Sequence, residues 1–190
     1  MVATSQAILQ ELLELTRANI NAAESFKTQP NTALNWKQNP ESWSALECIA
    51  HLNRYGDFYI PEITQKIKTA KHKSAEAFQS NWLGKYFSKT VAYKENLNKM
   101  KTFKSMNPLN SVLDVQTLET FIKQQHQIIE LLNQAQHVHL DKTKTAISIS
   151  KWIKLRLGDT FRVLIYHNER HIKQAEKALQ MATLTNVYSG

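Results

Sequence analysis

His167-Asn168-Glu169-Arg170-His171 sets two imidazoles four residues apart. On a helix, side chains at i and i+4 stand one above the other with β-carbons roughly 5–6 Å apart, so both rings can reach one metal ion. Their stripe also carries Val163, Leu164, Gln174, Ala175 and Ala178. The rings therefore sit on or beside the buried side of the helix, with small residues leaving room for a neighbour. His51, in Cys48-Ile49-Ala50-His51-Leu52-Asn53, shares a helical face with Tyr55, Phe58 and Tyr59 and is the natural third ligand. Three neutral imidazoles with one position left open make a metal centre of the catalytic rather than the closed structural type. Such an ion acts as a Lewis acid, or lowers the pKa of a bound water or thiol enough to form a nucleophile near neutral pH. Imidazole suits zinc, nickel, iron and copper alike. Taken alone, an i, i+4 histidine pair is more often two hydrogen-bonded or partly exposed side chains, and a lone His51 a satisfied core or boundary imidazole.

Partners that would fix each ring's tautomer are sought one helical turn away. Glu47 and Tyr55 flank His51, and Gln174 follows His171. The residues themselves favour plainer roles: a cap for Glu47, core packing for Tyr55 and a solvated side chain for Gln174. His137-Val138-His139 would chelate only in an extended segment, and its position after a helix end beside Asp141 and Lys142 favours a solvated loop. His72 and His126 have no partner at useful spacing. Cys48, the single cysteine, is one turn before His51, where a small buried hydrophobe is the commoner role than a nucleophile. Trp36, Trp43, Trp82 and Trp152 read as core or hinge anchors, with Trp43 and Trp82 able to wall a metal pocket. There is no Gly-rich phosphate loop, no Ser-centred elbow and no CxxC pair.

These residues need long helices to hold them. From Thr4 to about Lys27 the apolar residues Ile8, Leu12, Leu15, Ile20, Ala23 and Phe26 recur at helical spacing. The Thr28–Pro40 stretch breaks the pattern, and Ser44-Ala45-Leu46-Glu47 fits a capping box opening a second helix to about Ala70, bent at Pro61. Residues 71–111 read as a long connection with short helical pieces. A third helix is predicted over Val112–Ala135, then a short alternating run, Ala146-Ile147-Ser148-Ile149-Ser150, as extended chain. A fourth helix opens at Asp159, after Gly158, and runs through Phe161, Leu164, Ile165, Asn168, Ile172, Ala175 and Leu179.

A chain of 190 residues with four Gly, four Pro and many Leu, Lys, Gln, Ala and Glu suits one all-α domain, residues 1–190. With a single cysteine, no basic start followed by an apolar run, and no membrane-length apolar stretch, a cytoplasmic protein is expected, neither exported nor embedded. The net charge of +8 concentrates between Lys66 and Lys104: Lys66, Lys68, Lys71, Lys73, Lys85, Lys89, Lys94, Lys99, Lys101 and Lys104 face only Glu76 and Glu95. Phe78, Trp82, Tyr86, Phe87, Tyr93 and Phe103 are interleaved and could stack on bases. Without a nucleic-acid module beside it, the stretch reads as a solvated surface, and nucleic acid is not the expected partner.

Trp43-Ser44 opening a helix, His51-Leu52 seven residues on, and His167-x-x-x-His171-x-x-Gln174 in the last helix resemble the DinB-like superfamily, bacterial proteins that include DNA-damage-inducible proteins and low-molecular-weight-thiol transferases. The resemblance spans almost the whole chain. It implies a four-helix bundle of the DinB/YfiT-like type with a long crossover, a homodimer, and one divalent metal ion, zinc or nickel, on His51, His167 and His171. The stretches His51–Tyr59 and Leu157–Arg162 are similar to those of an uncharacterised bacterial branch without an assigned reaction. The function expected from residues and resemblance together is a metal-dependent enzyme acting on a small molecule, a hydrolase or small-thiol transferase. The alternatives are a non-catalytic, metal-stabilised binding or stress-response protein, and nucleic-acid binding through Lys66–Lys104.

Overall fold

The Thr4 hydroxyl starts the first helix by accepting from the Ala7 N–H at 3.0 Å, and α1 then runs Ser5–Phe26. The computed structural model describes residues 3–95 and 102–188, and they are mostly helical. A one-turn helix, α2 (Asn31–Leu34), interrupts the polar connection that follows. The capping box at Ser44 forms in full. The Glu47 N–H donates to the Ser44 hydroxyl at 3.1 Å, the Ser44 N–H donates to the Glu47 carboxylate at 2.9 Å, and α3 (Ala45–Lys68) continues through Pro61.

The next two long helices begin elsewhere than the sequence suggests. α5 spans Gln116–Ala135, starting four residues after Val112. Asp114 accounts for the delay: its carboxylate accepts from the Gln116 N–H at 3.0 Å, a local bond that competes with helical pairing. α6 spans Leu157–Tyr188, starting before Asp159. Its first amides are satisfied by backbone rather than by a capping side chain, Leu157 donating to the Thr143 carbonyl at 2.8 Å and Gly158 to that of Leu140 at 3.3 Å. Asp159 is buried instead against α4 (Trp82–Val91), where Ser80 donates to it and Gly84 allows the close approach. The extended run is half of an antiparallel hairpin, β3 (Lys144–Ile147) paired with β4 (Ser150–Arg156). In β4 the alternation is blurred by Ile153, while Leu155 is fully buried and Trp152 stands 94% exposed.

α3 packs on α5 and α6, α1 packs on the same two helices, and α4 lies on α6. Between α3 and α5 runs the long connection. It holds β2 (Ala77–Phe78), paired antiparallel with β1 (Ala3–Thr4), then α4 and a 3-10 turn at Lys104–Met106. Its Lys99 and Lys101 lie outside the described residues; Lys68, Lys71, Lys73, Lys85, Lys89, Lys94 and Lys104 are exposed, whereas Phe78 belongs to the core. Among the described residues no helix is long and apolar enough to cross a membrane.

The apolar core falls into two main clusters. One gathers Leu12, Ile63, Ile128, Leu132, Phe161 and Ile165; the other gathers Ala23, Leu46, Ile49, Leu118, Phe121 and Ile172. Each long helix contributes to both. Where it passes from one to the other it carries buried polar residues: Thr16 and Asn19 on α1, His51 and Asn53 on α3, Gln124 and Gln125 on α5, and His167, Asn168 and His171 on α6.

Candidate metal centre

His51 enters this polar layer from the second turn of α3, and His167 and His171 enter from the middle of α6. The three rings, distant in sequence, meet: one potential ligand atom from each lies within 4.8 Å of the other two. His51 Nε2 stands 3.3 Å from His167 Nε2. Two imidazole nitrogens at zinc-ligand distance in a tetrahedral arrangement are separated by about 3.3 Å. The pair is thus already at ligand spacing, and among the described residues no carboxylate or thiol joins the cluster.

The far nitrogens decide which atoms point inward. His51 Nδ1 is 2.7 Å from the Met106 carbonyl oxygen, which can only accept, so this nitrogen carries the proton and Nε2 keeps its lone pair. His171 Nδ1 is 2.9 Å from Gln174 Oε1 and is oriented in the same way. His167 Nδ1 is buried without a hydrogen-bond partner among the described residues. Burial also keeps the rings neutral. Desolvation lowers the pKa of His51 to about 4, against the opposing pull of the Met106 carbonyl, and that of His171 to about 3. His167 is held well below its ordinary range by burial and by the charges its neighbours would carry. Neutral imidazole is the state that binds a metal, and in His51 and His171 the hydrogen-bonded Nδ1 leaves Nε2 as the ligating atom.

Trp43 and Tyr55 enclose the rings, Trp43 with its centroid 4.7 Å from that of His51 and 5.7 Å from that of His171, Tyr55 at 4.9 Å from His51 and 4.5 Å from His167. A cavity of about 1160 Å³ opens from them, lined further by Trp36, Phe103, Arg170 and Lys177. Trp43, just ahead of α3, and one face of α3 hold the far wall. Trp43 Nε1 donates to Asn107 Oδ1 at 3.2 Å, the Glu47 carboxylate accepts from the Asn110 N–H at 2.5 Å, and Arg54 Nη1 donates to the Asn107 and Ser105 carbonyls at 2.7 and 3.3 Å. Residues 43, 47, 51 and 54 thereby pin a strap, residues 105–110, whose Met106 carbonyl orients His51.

Of the side chains considered beside the histidines, Gln174 is a ring partner rather than a solvated residue, and Tyr55 packs on the rings. Glu47 caps α3, its carboxylate also 2.8 Å from Lys37 Nζ. Trp82 walls nothing: it is 77% exposed on α4 and away from the cavity. Trp152 is likewise no core anchor. His72 and His126 are exposed, and the His139 amide donates to the His72 carbonyl at 3.1 Å, which makes that region a loop contact. Cys48 is fully buried and burial pushes its thiol pKa up, so it is no nucleophile. Met106 and Arg54 escaped the sequence reading because a backbone carbonyl more than 50 residues from its imidazole leaves no pattern of residue types.

No curated protein and no solved structure matches the chain. The family model described as the DinB superfamily matches residues 12–175, a span that takes in His51, His167 and His171 with all of α3 and the part of α6 that carries the histidine pair, and on that match the chain belongs to the DinB superfamily.

Proposed function

We propose that this chain is a metal-dependent enzyme, a hydrolase or small-thiol transferase, in which His51, His167 and His171 ligate one divalent ion, zinc or nickel. The reading includes a single four-helix-bundle domain over residues 1–190 with α1, α3, α5 and α6 as its helices, assembled as a homodimer. The observation that carries the metal assignment is the convergence of the three neutral imidazoles, with the 3.3 Å separation of His51 and His167 Nε2. A divalent ion held by three imidazoles supplies Lewis acidity and an open coordination position. The protein's own groups do the rest. The Met106 carbonyl and Gln174 hold two rings in the ligating tautomer, while Trp43 and Tyr55 shield them from bulk water. Metal analysis of protein purified without a histidine tag tests the site: wild type should carry about one ion per chain, and His51→Ala and His167→Ala almost none. Equally low content in all three would end the assignment.

A second reading, a non-catalytic binding or stress-response protein stiffened by its metal, is favoured by the rings' place in a buried layer joining α3 to α6. In that case zinc or nickel raises the melting temperature, as linkage requires, without turnover on thiol or ester panels.

A further inference from the structure

Packing uses only one side of α4. Leu83, Phe87 and Val91 turn inward onto Ile147 and Leu155 of the β3–β4 hairpin and onto Val163 of α6. The opposite stripe, Trp82, Lys85, Tyr86 and Lys89 at i, i+3, i+4 and i+7, faces out, with Tyr86 58% exposed. The hairpin beside α4 adds exposed Ile149, Trp152, Ile153 and Lys154. Single exposed apolar side chains are ordinary, but two tryptophans, a tyrosine and two isoleucines on adjoining elements mark an interaction surface. Neither 82–91 nor 144–156 contains an acidic residue. Lys85, Lys89, Lys144 and Lys154 are exposed, and none of them forms an ion pair among the described residues.

Charge decides what can cover this face. A second copy placed face to face would set lysines against lysines with no carboxylate to meet them, so the partner is anionic. A single nucleic-acid strand needs a basic groove beside its stacking rings. Trp82, Tyr86 and Trp152 stand instead on the outside of a helix and on a hairpin, away from the cavity, and Ile149 and Ile153 have no ring on which a base could stack. A bilayer surface suits all of them: tryptophan and tyrosine settle at headgroup level, aliphatic side chains enter just below, and lysines reach lipid phosphates.

We propose that the outer face of α4 and the β3–β4 hairpin seat on the surface of a bilayer containing anionic lipid, with Trp82, Tyr86, Ile149, Trp152 and Ile153 in the interface and Lys85, Lys89 and Lys154 on the headgroups. The test is sedimentation of the full chain with vesicles of phosphatidylcholine alone and of phosphatidylcholine mixed with phosphatidylglycerol. Binding to the mixed vesicles should exceed binding to the neutral ones by about tenfold or more and weaken as salt is added. Each lysine near an anionic surface is worth about fivefold, so Lys85→Gln/Lys89→Gln should lose about tenfold or more, whereas Lys27→Gln/Lys123→Gln, which removes the same charge from exposed positions on other elements, should stay within about twofold. Trp82→Gln/Trp152→Ser should also lose about tenfold or more. Circular dichroism confirms the fold of each variant, and Trp152→Ser alone decides if the double variant does not fold. No binding to the mixed vesicles, equal binding to neutral ones, equal losses in the two lysine pairs, or unchanged binding without the tryptophans overturns the proposal. A labelled single-stranded oligonucleotide that bound where the vesicles did not would assign the face to nucleic acid and overturn it as well.

Discussion

Arg54→Ala removes a side chain that touches none of the imidazoles by hydrogen bond, yet it should weaken metal binding. Arg54 Nη1 donates to the carbonyls of Asn107 at 2.7 Å and Ser105 at 3.3 Å, and between those two residues lies Met106, whose carbonyl orients His51 at 2.7 Å. The guanidinium is half-buried, so solvent screening limits its worth to global stability to about 1 kcal/mol. Its effect on the site should be larger. Loss of a group that orients a metal-ligating histidine lowers metal affinity by about 10- to 100-fold, and Arg54 acts one residue further out, so about tenfold is expected. Zinc competition against a chromogenic chelator at constant pH measures this, with Arg54→Lys as the partial rescue, since an ammonium can still reach one carbonyl. Zinc affinity within about twofold of wild type, in a variant whose melting temperature confirms the lost bonds, would refute the coupling of strap to site.

Acid should destabilise the metal-free protein: the unfolded chain protonates its histidines near pH 6.5, while folded His51 stays neutral to about pH 4 and His171 to about pH 3. Stability is therefore full above about pH 6.5 and falls below it, by about 2 kcal/mol between pH 6.5 and 5.5 for the two rings, and a urea denaturation midpoint that did not move over that range would contradict it. Gln174→Leu removes the acceptor of His171 Nδ1 and should weaken zinc by about tenfold in the same chelator assay with little change in melting temperature, while Gln174→Glu retains affinity. Gly84→Ala would bring a β-carbon to 2.0 Å from the buried Asp159 carboxyl carbon. Overpacking of this kind costs about 1–3 kcal/mol, and thermal denaturation should fall accordingly.

The long helices and the His167/His171 pair were legible because each leaves a local mark, whereas His51 joined the pair through the family resemblance. Apolar periodicity over Ile8–Phe26, the Ser44/Glu47 box and the spacing of His167 and His171 all depend on residues within a few turns of one another. Helix starts were less legible where the first amides are satisfied from afar. Leu157 and Gly158 bond carbonyls of Thr143 and Leu140, so the apparent cap, Asp159, was free to serve another contact. β4 was missed because Ile153 interrupts its alternation and Trp152 faces solvent. Gln174 was read as solvated because nothing in sequence says whether an amide one turn from a histidine turns toward it or away.

The buried polar layer explains how so open a constellation keeps its geometry. Apolar clusters tolerate sliding, because one leucine replaces another at little cost, but a buried amide must find its partner. Asn168 Nδ2 donates to Gln125 Oε1 at 3.0 Å, and Gln124 Nε2 donates to the Asn53 carbonyl at 3.2 Å and to Asp57 at 2.8 Å. The first bond ties α6 to α5 and the second pair ties α5 to α3, so α6 and α3 share a register although neither amide touches an imidazole. A slip of one helical turn, about 5.4 Å, would break these bonds and leave their groups unpaired in the core. The same slip would carry His167 far beyond the 3.3 Å that now separates it from His51. Several amide atoms in the layer, Asn19 Nδ2 and Asn168 Oδ1 among them, have no hydrogen-bond partner among the described residues, so the layer is not optimised for stability. Its return is registry: the polar residues that weaken the core fix the position of α6 against α3 on which the three-ring cluster depends.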